Sequence, residues 1–137
     1  ISLLVISSFT PIVSSAYTKT GWRVANPSFI TYKWGASLKS GVIKNGWVNS
    51  ASSWRTSTKQ NVRFYHDANS VNFLTRYTVS SSNLYGKMTV TYNTNTKRVT
   101  KYQGYMNDYS VKTANVAKSV GGHELGHALG LGQKLPL

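Results

Sequence analysis

The sequence predicts an α+β domain, a twisted mixed sheet of four to five strands with two helices, the second helix carrying the chemistry. Three observations predict it. Runs that alternate apolar and polar residues, rich in Val, Thr and Tyr, mark strands. Two stretches, residues 40–56 and 115–131, set their apolar residues at helical spacing. The order is strand, helix, strands, helix, which fits helices grouped against a sheet better than strict strand–helix alternation.

Residues 1–16 carry no charged side chain. The apolar run begins at Ile1 and the stretch ends in Val13, Ser14, Ser15 and Ala16, with small residues where a signal peptidase reads. We read it as the remnant of a secretory signal, against the plainer alternative of a buried N-terminal strand. Pro11 breaks the run, and it is too short to span a bilayer. On this reading the mature domain is residues 17–137, beginning near Tyr17, and it is secreted to the extracellular space.

Residues 29–34 form the first strand. Ser40 then caps a helix running to about Thr56, with Ile43, Trp47, Ala51 and Trp54 on its apolar face. Gly41 and Gly46 weaken that helix. Residues 62–66 and 74–79 are further strands, and residues 80–83 a loop. Residues 84–93 place Met88, Val90 and Tyr92 on one face of a strand; a turn at 93–96 leads to a strand over 99–107. The last helix takes its core face from Val116, Val120, Leu125 and Leu129, and Gly130 is placed to end it at the C′ position.

At 137 residues the chain is one domain, and 40% hydrophobic residues are enough for a core. It has no Cys, which excludes disulfides, thiolate metal ligands and a cysteine nucleophile. Sixteen Lys and Arg against three acids give a net charge of +13, which draws the chain to polyanions. Nucleic acid, an anionic cell-wall polymer and a membrane surface are the candidate partners of this kind. The basic residues are spread from Lys19 to Lys134 without a recognition helix or an RNA-binding aromatic motif, so a specific nucleic-acid role is not expected. General surface charge is the plainer reading.

The chemistry is concentrated at His123, Glu124, Leu125, Gly126 and His127. These five residues hold two of the three His and the one Glu. Positions i and i+4 share a helix face, so His123 and His127 can offer imidazole nitrogens to one metal ion. Zn²⁺ accepts neutral imidazole in a tetrahedral shell. Glu124 sits about 100° around the helix and serves as a general base rather than a third ligand. His66, the remaining histidine, is read as a core or edge residue.

Residues 120–132 resemble the active-site helix of the metzincin zinc metalloproteases, most closely the matrixin-type proteases of secreted bacterial proteins. In the motif H-E-x-x-H-x-x-G-x-x-H, the residues His123, Glu124, His127 and Gly130 match position by position. The resemblance implies a metzincin-like N-terminal subdomain, a Zn²⁺ cofactor, and hydrolysis of protein or peptide substrates by a monomeric endopeptidase. It also implies that residues 87–92 are an edge strand that pairs with an extended peptide. The third ligand position falls on Gln133, where the family has histidine. Met88 and Met106 both precede the motif, so the family's Met-turn is lacking and the chain reads as C-terminally truncated. With Asp67 and Asp108 as the other acids, calcium sites of the kind some relatives carry are not expected. Two alternatives stand beside the enzyme: an inactive truncated remnant, and a secreted basic module that binds anionic wall polymer or nucleic acid.

Overall fold

The computed structural model describes residues 2–9, 17–81 and 83–133. The fold is α+β. The elements in order are β1 (Ser2–Phe9), β2 (Tyr17–Lys19), β3 (Ile30–Trp34), α1 (Val42–Ser57), β4 (Phe64–His66), β5 (Phe73–Tyr77), β6 (Gly86–Asn93), β7 (Val99–Asn107), α2 (Ala114–Ala128) and β8 (Leu131–Gln133). The main sheet runs β1-β6-β7-β5-β3-β4, and β2 pairs with β8 in a small ribbon. Strands β4, β3, β5 and β7 run parallel to one another, whereas β6 is antiparallel to both β1 and β7.

Alternation explains the strands. Along β6 burial alternates residue by residue, with Met88, Val90 and Tyr92 inward. They meet Trp47 and Ala51 from α1, Leu74 from β5, Tyr102 and Met106 from β7, and Val120 and Leu125 from α2. α2 packs on β6, β7 and β1 and against α1. The two helices approach closely because small residues line their contact. A Cβ on Gly46 would strike Ala117, and one on Gly121 would strike Ser50 and, at 2.9 Å, Met106. Trp47 spans the layer, its indole N–H donating to the Thr75 carbonyl at 3.0 Å.

Several expectations change. The first helix is capped by Gly41 (φ 138°) rather than Ser40, and no side chain caps it. A positive φ is open to glycine at little cost, so the residue that lowers helix propensity is the one that starts the helix. The strand expected at 74–79 ends at Tyr77. The reason is Asn107, fully buried, whose carboxamide accepts from the Val79 N–H and donates to the Val79 and Leu84 carbonyls. It binds that segment as an ordered loop. Strand β6 is not an edge here, because β1 lies along its whole length from Ser2 opposite Asn93 to Phe9 opposite Gly86. The apolar run read as a signal remnant thus adds a sixth strand to the five formed by β3 to β7. Residues 10–16, with the small-residue stretch read as a cleavage site, lie outside the described residues. Among the described residues no helix is long and apolar enough to cross a membrane.

Candidate metal centre

The site is built on α2. Thr113 caps it, in extended conformation, with its hydroxyl accepting from the Val116 N–H. Ten residues on, His123 and His127 fall one turn apart on one face. Their rings stand edge to face, with centroids 4.6 Å apart, and their Nε2 atoms are 3.0 Å apart.

The tautomer of His127 follows from its other nitrogen. Nδ1 lies 2.6 Å from the Leu131 carbonyl oxygen, an acceptor, so Nδ1 carries the proton. Nε2 of His127 is then an unprotonated lone pair aimed at His123. This backbone tie is the orienting contact that metal-bound histidines use. Two nitrogens at about 2.0–2.1 Å from a tetrahedral zinc stand roughly 3.3 Å apart. The observed Nε2 separation of 3.0 Å is close to that edge. The two side chains therefore fit a metal of the imidazole-binding kind.

The Leu131 carbonyl reaches His127 because the chain turns at Gly130, which has φ +106°. A Cβ there would also strike the Trp22 carbonyl. Gly130 is the C′ residue that the sequence predicts, following the cap Leu129. The helix itself ends at Ala128, three residues before the expected 131, and the chain continues as β8. Thr20 binds the Gly130 carbonyl through both its N–H and its hydroxyl, at 3.0 and 2.9 Å.

Two indoles hold the helix backbone. Trp22 donates its ring N–H to the His127 carbonyl at 2.9 Å and stacks on Tyr92. Trp54 donates to the carbonyl of Gly122, next to His123, at 2.9 Å. The sequence pattern sets Trp54 on the apolar face of α1 and gives no signal for Trp22. Nothing in local spacing connects a residue 105 positions away to the last turn of α2.

Glu124 turns from the histidines toward the sheet. It is fully buried, with Cγ 3.4 Å from where a Gly86 side chain would begin, and neither carboxylate oxygen has a hydrogen-bond partner. Burial pushes its carboxyl well above the ordinary value. Burial, aided by the Glu124 charge, also raises the Tyr77 phenol, so Tyr77 is a neighbour of the site that the sequence did not single out. Burial pulls His123 down to about 4, with His127 adding to the shift. His127 is lowered by burial too, against the opposing pull of its bond to Leu131. Both imidazoles are thus neutral near pH 7, the form that ligates metal.

Among the described residues no third His, Cys, Asp or Glu joins this pair. Gln133 ends β8 with its backbone opposite Tyr17, and its side chain lies outside what is described. His66 sits on β4, at the far edge of the main sheet from β1 and β6, stacked on Trp34 and edge-on to Tyr32.

No protein-family model matches this chain, and no curated protein does. Among solved structures it is similar to high choriolytic enzyme 1, a hatching enzyme zinc-protease from the medaka fish Oryzias latipes. The identity is 17%, the TM-score 0.45, and the match covers 90% of this chain and 52% of that one. The chain therefore spans about half the length of that enzyme.

Proposed function

We propose that this chain is a zinc-dependent metalloendopeptidase of the metzincin, matrixin-like type, secreted by way of its N-terminal segment. The observation that carries the reading is the His123–His127 pair, with converging Nε2 atoms and a tautomer set by the Leu131 carbonyl. The adjacent Glu124 supports it, as a buried carboxyl with no structural partner.

His123 and His127 would hold the Zn²⁺, with Gln133 or solvent completing the shell. Zinc there supplies Lewis acidity toward a peptide carbonyl. Glu124 handles the proton. A carboxylate oxygen would accept it from the attacking water and return it to the departing amine nitrogen, which requires the side chain to leave the buried position it holds against Gly86. Trp22 and Leu131 keep His127 oriented throughout. The substrate would lie extended along β6, at the edge that β1 covers in this structure, once residues 1–16 are removed on export.

The test is hydrolysis of casein by the chain in added zinc, beside Glu124→Ala and beside a chelator. The expected result is cleavage that both treatments abolish. Cleavage by Glu124→Ala at the wild-type rate would refute the proposal. A second reading, a metal-binding remnant without turnover, is favoured by the presence of Gln133 at the third ligand position. Zinc binding with both chains inert would select it.

A further inference from the structure

Strands β5, β6 and β7 gather a second cluster. Tyr105 meets Phe73 at 5.7 Å and Tyr77 at 6.2 Å between ring centroids, edge to face in both cases. The Lys87 ammonium lies 4.8 Å from the Tyr105 ring centre and 5.1 Å from that of Tyr77. Beside this cluster is a concavity of about 550 Å³, lined among others by Lys33, Trp34, Ser37, Phe73, Arg76 and Tyr105. Its wall is the segment after β3, drawn onto β5 by the Gly35 N–H bond to the Leu74 carbonyl. None of the lining residues belongs to α2, and no carboxylate lines the cavity.

The charge around it is one-sided. Of the three acids, Glu124 is buried under the sheet, Asp108 is paired with Arg76 at 2.9 Å, and Asp67 stands in the turn after β4. Among the described residues Arg76–Asp108 is the one ion pair, so no carboxylate answers Lys33. The rings of Phe73 and Tyr105, an unanswered ammonium and hydroxyls from Ser37 and Thr75, 3.3 Å apart, face one space. Its volume falls within the roughly 300–1,000 Å³ usual for small-ligand sites.

We infer that this concavity binds one unit of an anionic polysaccharide, with the sugar ring against Phe73 and Tyr105 and its carboxylate or phosphate on Lys33. A sugar fits better than a nucleobase. Base stacking needs a free ring face, and the Lys87 ammonium sits over the faces of Tyr105 and Tyr77. Trp34 offers no platform either, because its ring turns to the helix side of the sheet, stacked with His66 and 5.2 Å from the Lys44 ammonium. What remains open are ring edges, hydroxyls and the Lys33 charge, which suit a hydroxylated ring that bears a negative group. This site is independent of zinc and of peptide hydrolysis, so either can fail without the other.

The test is calorimetric titration of the full chain with hexagalacturonate, with uncharged maltohexaose and with a twelve-residue oligothymidylate, at physiological salt. Lys33→Gln is compared with Lys59→Gln, which removes an equal charge at the exposed end of α1. The expected result is binding of hexagalacturonate alone, weakened about tenfold by loss of the charged contact in Lys33→Gln and less than about twofold by Lys59→Gln. Both are surface substitutions, and an unchanged thermal midpoint verifies folding. Equal weakening by the two variants would reduce the effect to net charge and overturn the site. Binding of maltohexaose as tight as hexagalacturonate, preference for the oligothymidylate, or no binding at all would each overturn it too.

Discussion

Glu124 is a fully buried carboxyl beside the metal-binding pair. A fully buried carboxyl without a hydrogen bond costs free energy whenever it ionises. Its folded pKa stands above the ordinary 4.5, so its contribution to stability is whole below that pH and is lost as pH rises through the folded value. Glu124→Gln keeps the shape and removes the charge. In chelator, its urea midpoint is expected to exceed the wild type's at pH 7.5 and to approach it near pH 4. A wild type more stable than Glu124→Gln at pH 7.5 would mean that the carboxylate has a partner after all. His123 works in the opposite direction. Its folded pKa is lowered from 6.5 to about 4, so the stability tied to its neutral form is present above 6.5 and lost as pH falls toward 4. Measured in a Glu124→Gln background, stability should decline between those values, and His123→Gln should flatten the decline.

At the scale of elements, the helix pair and the turn after α2 decide the geometry. Gly46 and Gly121 let α1 and α2 come close enough for Ser50 to reach the Lys118 carbonyl at 2.9 Å. Alanine raises intrinsic helix propensity by up to about 1 kcal/mol over glycine. Overpacking costs about 1–3 kcal/mol. At Gly46 the obstruction includes the Ala117 backbone, at 3.0 Å, which cannot rotate aside. Gly46→Ala is therefore expected to lower stability by about 1–2 kcal/mol in urea titration; a gain would place the helices further apart than described. Trp22→Phe removes the indole bond to His127 but keeps a ring on Tyr92. It should leave the far-ultraviolet dichroism unchanged and lower zinc affinity by about tenfold, the cost of losing an outer contact to a ligand-bearing turn. Unaltered affinity would remove Trp22 from the site.

Across the whole molecule, what was legible in the sequence is what repeats along the chain. The alternation of residues 99–107 marks β7 at its observed bounds, and the i, i+4 pair places both histidines on one face of α2. What depends on partners distant in sequence was not legible. Rotation around a helix places Glu124 about 100° from its neighbour, but says nothing of the sheet that buries it under Gly86. Helix propensity, a local average, counts Gly41 as a weakness, whereas its φ of 138° is a positional requirement. The pairing of β1 with β6 joins residues some 85 positions apart, between two runs that each look complete alone. The third ligand position depends on Gln133, at the limit of the described chain.

The most direct test of the central claim is zinc retention. The full chain would be dialysed to equilibrium against buffered Zn²⁺ at pH 7.5, beside His123→Ala, His127→Ala and His66→Ala. One zinc per chain is expected, lost in the first two variants and kept in the third. Retention of that zinc in both His123→Ala and His127→Ala would contradict it, because the converging imidazoles would then not be the metal's ligands.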